Sequence, residues 1–129
     1  MVIDTSAIMA ILLFEAEARS FADAIMTAAA RRVSTGTLLE LEIVANVRRG
    51  RIGLPDVDDF LEKAQIEIVP FDREQARFAR GAYRRYGRGN HRAGLNFGDC
   101  FAYALAKATG EPLLFKGADF AHTDVVSAL

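Results

Sequence analysis

Four carboxylates in this chain stand where an apolar strand or helix meets a turn. Asp4 follows MVI directly, Glu40 lies in STGTLLELE, Asp99 opens the run DCFAYALA, and Asp119 sits in FKGADF just after PLLF. Each has an ordinary structural explanation. Asp4 can cap a helix, with Thr5 and Ser6 as rivals for that position. Glu40 can close a capping box with Thr37. Asp99 can pair with Asn96 at the positive end of a helix dipole, and Asp119 can serve a turn.

Together the four pose a different problem. A buried ionised carboxylate is costly unless it is paired or binds a cation, and the helix that begins near Asp99 has no basic residue before Lys107. At about 100° per residue, Ile43, Val44 and Val47 fall on both sides of Glu40, whereas Glu42 falls with Asn46 and Arg49 on the polar side. This phase predicts that Glu40 faces inward and Glu42 outward. Carboxylates that converge repel one another, so either their pKa values rise or a metal supplies countercharge. Oxygen donors without histidine or thiolate favour Mg²⁺ or Mn²⁺ over zinc. A carboxylate-held Mg²⁺ that keeps several waters is suited to phosphodiester hydrolysis, because it activates water and stabilises charge on the phosphate.

Convergence requires a scaffold that delivers all four acids to one edge. MVI reads as a buried strand, followed by helices over about Ser6–Phe14 and Glu15–Ala30 and a weak strand at Arg32–Ser34. A helix is predicted over Thr37–Arg49, ended by Gly50, and another starts at Pro55 with acids in its first turn. IEIVPF is strand-like, Asp72–Tyr86 helical, GRGNHRAG a loop, Phe97–Thr109 helical and PLLF a strand. Short apolar strands alternating with helices predict an α/β domain spanning residues 1–129, its parallel sheet covered on both faces. Sites in such sheets gather at the carboxyl ends of the strands. Asp4 and Asp119 follow two strands, and Glu40 and Asp99 lie in the first turns of two helices.

Bulk properties narrow the possibilities. With 129 residues and 51% hydrophobic content, the chain is long enough for a substantial core. The single cysteine, Cys100, excludes an internal disulfide, and His91 and His122 offer no zinc spacing. A reducing cytoplasm is therefore expected. The opening MVIDTSAIMAILLFEAEAR is interrupted by Asp4 and has no basic region before its apolar stretch, so neither a signal peptide nor a membrane span is expected.

The set MVIDTSA, STGTLLELE and GLNFGDCFAYALAKATGEPLLFKGADF resembles the PIN-domain ribonucleases, specifically the VapC toxins of bacterial type II toxin-antitoxin systems. The likeness runs nearly end to end. It implies an α/β/α sandwich around a parallel sheet, Mg²⁺-dependent endoribonuclease activity, and inhibition by a small cognate antitoxin. Carried onto this chain, the first three acids of the family fall on Asp4, Glu40 and Asp99. Asp4 and Asp99 are the expected metal ligands, with Glu40 completing the metal shell or positioning the attacking water. Many relatives carry a fourth acid where this chain has Gly117; Asp119 either compensates for it or does only structural work.

The charge distribution adds a candidate surface. Net charge is only −1, yet seven arginines and one acid, Glu74, lie between Arg73 and Arg92. On a helix, Arg73, Arg77, Arg80 and Arg84 form one stripe beside an apolar face of Ala76, Ala79, Ala82, Tyr83 and Tyr86, and the stripe continues into Arg88 and Arg92. Arginine suits bidentate phosphate or carboxylate contacts, so Arg77, Arg80, Arg84, Arg88 and Arg92 are candidate RNA contacts, with antitoxin carboxylates as additional or rival partners. A solvated helix face is the plain alternative. Tyr83 and Tyr86 read as core or dimer packing rather than base-stacking platforms. The alanine-rich EAEARSFADAIMTAAA can serve homodimerisation or receive an antitoxin helix. Two other functions fit parts of the pattern. A metal-independent RNA-binding α/β module would leave the acids without a purpose. A Mg²⁺-dependent small-molecule phosphatase lacks its D-x-D spacing here, and the chain has no Walker pattern.

Overall fold

Short hydrophobic strands cannot be stable alone, and here four of them are stacked in parallel with a helical connection after each of the first three. The computed structural model describes residues 1–47 and 52–129. Its elements are β1 (Val2–Ile3), α1 (Thr5–Leu12), α2 (Ala18–Thr27), β2 (Arg32–Ser34), α3 (Thr35–Val47), α4 (Leu54–Lys63), β3 (Glu67–Val69), α5 (Arg73–Tyr86), α6 (Asp99–Thr109) and β4 (Leu113–Leu114), followed by a 3₁₀ turn at Phe120–His122. The strand order is β3-β2-β1-β4, and all pairings are parallel. The chain therefore builds outward from β1 to β3, then returns to add β4 on the other side of β1. The reversal places a switch point between β1 and β4, where open α/β sheets form their sites.

Successive residues of a strand face opposite sides of the sheet, and both sides are covered. Ile3, Val33 and Leu114 pack with α1 to α4 in one core that includes Ile8, Ile25, Leu41 and Val57. Val2 and Leu113 pack on the other side with Ala82 and Tyr86 of α5 and with Ala102, Tyr103 and Leu105 of α6. This is the α/β/α arrangement expected from the alternating pattern. Arg32–Ser34, the weak strand candidate, is an inner strand, and its Val33 and Ser34 are fully buried.

Several boundaries shift. The first helix stops at Leu12 because Phe14 turns the backbone into the left-handed region at φ 54°. The second covers Ala18–Thr27 rather than Glu15–Ala30. The third starts at Thr35, two residues early, and its expected end at Arg49 and Gly50 lies outside the described residues. The strand PLLF shortens to Leu113–Leu114.

The phase of α3 also needs correcting. Its buried row is Thr37, Leu41 and Ala45, at i, i+4 and i+8, whereas Ile43 is 54% and Val47 76% exposed. The predicted apolar arc around Glu40 is therefore not the core-facing one. Glu40 stands at the edge of the buried row, and Leu39, Ile43 and Val47 form an apolar strip in solvent. Neither Leu41→Ala nor Leu39→Ala changes a polar group, so urea unfolding of the two variants reads the phase directly. Leu41→Ala is expected to cost about 2–5 kcal/mol and Leu39→Ala about 0.5 kcal/mol or less; equal losses would contradict this packing.

Candidate active site

Asp4 leaves β1 as the N-cap of α1. Its Oδ2 accepts from the backbone N–H of Ser6 at 2.9 Å and from the Ser6 hydroxyl at 2.6 Å. The same hydroxyl accepts from the Lys116 N–H at 2.9 Å, beyond β4, and the Asp4 N–H donates to the Leu114 carbonyl at 2.9 Å. Ser6 thus ties the loop after β4 to the carboxylate after β1. Asp4 is buried, and desolvation raises its carboxyl pKa; the Ser6 bonds oppose that rise, and the charge of Glu40 adds to it.

Glu40 reaches the same edge from α3. Thr5 donates its hydroxyl to Glu40 Oε2 at 2.7 Å, so the residue after Asp4 orients the second acid. The Thr37–Glu40 capping box does not form. Thr37 lies inside the helix, fully buried, with no partner for its hydroxyl among the described residues. The carboxylate rests instead against Gly98, where an added Cβ would lie 2.1 Å from Oε1. Gly98 has φ −63° and ψ −44°, values open to any residue, so a side chain there would meet no backbone conflict but would displace the Glu40 carboxylate from this position.

Asp99 combines the two readings of its sequence. Its backbone N–H donates to Asn96 Oδ1 at 2.9 Å, and its Oδ2 accepts from the Asn96 N–H at 2.8 Å. This reciprocal pair of bonds closes a turn over Phe97 and Gly98, and α6 follows from Asp99. Desolvation pushes the Asp99 carboxyl up to about 7; the Asn96 N–H opposes the shift, and the charges of Asp4, Asp119 and Glu40 reinforce it. Asp119 is exposed at the foot of the 3₁₀ turn. Gly117 has φ 98°, which disfavours any side chain at the family's usual fourth-acid position.

All four acids are therefore neighbours in electrostatic terms. No lysine or arginine among the described residues forms an ion pair with any of them; nearby Lys116 is committed to Glu15 at 2.7 Å and Glu17 at 2.9 Å. Among the described residues, no group of three histidine, cysteine, aspartate or glutamate side chains is gathered tightly enough to hold a metal ion. The oxygen donors fit a cation that takes one or two carboxylates and keeps its waters, as Mg²⁺ does, and do not form an all-protein cage.

The arginines lie on the outer face of α5 and the loop beyond it. Arg73, Arg77, Arg80, Arg84, Arg88 and Arg92 are all exposed, and none forms an ion pair among the described residues. Arg73, Arg77 and Arg80 border one shallow cleft. The apolar edge differs from expectation. Gln75, Ala82 and Tyr86 are buried, Phe78 and Ala79 partly so, but Ala76 and Tyr83 face solvent. Tyr86 packs in the core against Tyr103, whereas Tyr83 is half exposed and does not belong to that core. Sequence reasoning did not single out Gly98 or the orienting hydroxyls of Thr5 and Ser6. The adjacency of Thr5 and Ser6 to Asp4, and of Gly98 to Asp99, was the available signal.

The PIN domain sequence profile matches residues 1–126. Ribonuclease VapC30 of Mycobacterium tuberculosis is 49% identical over 98% of this chain and 97% of its own length, and ribonuclease VapC of Mycolicibacterium smegmatis is 51% identical over 98% of both chains. Among solved structures, M. tuberculosis VapC20, described as a sarcin-ricin loop cleaving toxin, superposes with a TM-score of 0.74 at 16% identity, covering 97% of this chain and 95% of that one. At that identity the structural likeness concerns the fold, while the curated relatives and the profile extend over nearly the whole sequence. This chain belongs to the PIN-domain family, among the VapC proteins.

Proposed function

We propose that the chain is a Mg²⁺-dependent endoribonuclease acting in the cytoplasm as the toxin of a toxin-antitoxin pair. The observation that carries the reading is the set of mutually repelling carboxylates at the β1–β4 edge, which lacks a protein counter-cation among the described residues. Near-half identity to curated VapC ribonucleases supports the same reaction class. Asp4, its carboxylate fixed by the Ser6 hydrogen bonds to Oδ2, and Asp99 would supply the oxygens that hold the metal. Glu40, fixed by Thr5, orients the attacking water, and Asp119 lends negative charge at the rim. When bound, Mg²⁺ or Mn²⁺ would acidify that water and neutralise charge on the scissile phosphate. The exposed arginines of α5 and the following loop hold the RNA backbone. The Leu39–Ile43–Val47 strip and Phe14, which is 90% exposed, are surfaces for a second copy of the chain or for a small antitoxin. A solved toxin-antitoxin complex from Klebsiella pneumoniae shares the fold, with a TM-score of 0.72 at 17% identity and coverage of 99% of this chain and 97% of that one. No helix among the described residues is long and apolar enough to cross a membrane.

RNA cleavage by the purified protein should vanish in EDTA and return with Mg²⁺ or Mn²⁺; undiminished cleavage in chelator would exclude the metal mechanism. Asp99→Asn, which keeps the capping oxygen, should be inactive yet no less stable than the parent in EDTA, and Mg²⁺ should raise its melting temperature less.

The raised Asp99 pKa sets a pH dependence. The unfolded carboxyl releases its proton near 4, but the folded one keeps it up to about 7. The folded state thus binds more protons across that window, and metal-free stability should fall as pH rises from about 4 through 7. Asp99→Asn should flatten this fall. Stabilisation by Mg²⁺ should grow over the same window, since the ion competes with the proton. Urea midpoints at several pH values, with and without Mg²⁺, test both signs.

Gly98→Ala should displace the Glu40 carboxylate and lower cleavage about tenfold or more. Gly81→Ala, made in the interior of α5 where a Cβ meets no atom within 4 Å, should preserve cleavage and add about 0.5–1 kcal/mol of stability. Full activity in Gly98→Ala would remove Glu40 from the mechanism.

A further inference from the structure

Beside the carboxylates lies an apolar cavity of about 450 Å³, walled by Phe71, Phe97, Phe101 and Tyr83 together with Cys100 and Arg80. Phe101 is its anchor. Its ring meets Phe71 edge-on at 4.7 Å between centroids and Phe97 at 5.0 Å, and Gly36 leaves the space it occupies, since a Cβ there would lie 2.3 Å from the ring. The outer aromatics are not core residues: Phe97 is 77% and Tyr83 50% exposed. Such exposure keeps large apolar surface in water, which is unfavourable unless something covers it.

Two features bear on what covers it. Phe97, in the turn before α6, and Cys100 and Phe101, in its first turn, bracket Asp99 in the chain, so the cavity wall and the carboxylate site share one stretch of backbone. On its other side the cavity shares Arg80 with the shallow cleft formed by Arg73 and Arg77. An apolar slot thus adjoins the Asp99 stretch on one side and, on the other, a row of arginines that form no ion pair among the described residues. That sequence of surfaces matches a nucleotide: phosphate at the carboxylates, base in the slot, next phosphate on the arginines.

We propose that this cavity is a base-binding subsite that takes a nucleobase of the RNA next to the scissile phosphate, stacked on Phe97, while Arg77 and Arg80 hold the adjoining backbone. The inference rests on the ribonuclease reading above. Phe97 and Tyr83 then act in substrate selection, favouring RNA whose base at that position is free to leave a helix.

The test is equilibrium binding in EDTA, where cleavage is absent, using fluorescein-labelled oligo(A), oligo(U) and oligo(C) ribonucleotides and an abasic ribose-phosphate chain of the same length. Phe97→Ala should weaken binding of at least one base-bearing oligomer by about 5- to 150-fold, the factor equivalent to about 1–3 kcal/mol of stacking. Its affinity for the abasic chain and its salt slope should stay at the parent's values. Phe97→Tyr should restore binding. Arg77→Ala and Arg80→Ala should instead weaken all probes alike and reduce the salt slope by about one each. The subsite is refuted if Phe97→Ala weakens base-bearing and abasic probes equally. It is also refuted if both affinities are unchanged, which would assign the cavity to a protein partner. If the parent neither binds nor, with Mg²⁺, cleaves RNA, the ribonuclease reading fails and the subsite with it.

Discussion

The structure is organised around anions kept at a sheet edge without a protein cation among the described residues. Asp4 is buried and Asp99 half-buried; the charge of Glu40 raises the cost of ionising Asp4, and those of Asp4, Asp119 and Glu40 raise the cost of ionising Asp99. Such a cluster persists only because the surrounding fold over-determines it. β1 is paired on both sides, by β2 and β4, so Asp4 cannot withdraw from the edge. The Ser6 hydroxyl ties the loop after β4 to Asp4, and Thr5 holds Glu40. Three consecutive residues, Asp4, Thr5 and Ser6, thus supply an acid and the two hydroxyls that orient the site.

Space is as important to the site as charge. Gly98 lets the Glu40 carboxylate lie against the start of α6, and Gly36 lets the Phe101 ring lie against the start of α3. The two helices therefore approach each other through glycine positions at which a methyl group would collide with a side chain. One approach places the second acid, and the other builds the aromatic cavity beside the third. The arginine face of α5 completes the surroundings from outside. Its charges are solvated and unpaired among the described residues, whereas Lys116, whose backbone N–H meets the Ser6 hydroxyl, pairs its ammonium with Glu15 and Glu17.

Much of this was legible in the sequence. Strand-sized apolar runs alternating with helical periods determined a parallel α/β sheet, and the placement of Asp4 directly after MVI put it at a strand end. Asn96 and Asp99, three residues apart, announced a helix start that the fold contains. The arginine stripe followed from spacing alone, because residues three and four apart share a helix face in any context. Hydrophobicity was a poorer guide to α3. Leu39, Ile43 and Val47 are as apolar as the buried residues, and only the position of the sheet and neighbouring helices selected Thr37, Leu41 and Ala45 as the inward row.

By itself, then, the sequence determined the strand and helix periods, the local caps and the candidate acids, because those depend on residues a few positions apart. Tertiary structure decided which face of each helix was buried, that Thr5 rather than Thr37 would bind Glu40, that Gly98 would make room for it, and that four distant carboxylates would share one edge. Those outcomes depend on contacts across 35 residues between Thr5 and Glu40 and 110 between Ser6 and Lys116. No local pattern encodes such distances; they arise when β4 returns to pair beside β1 and closes the sheet around the charges.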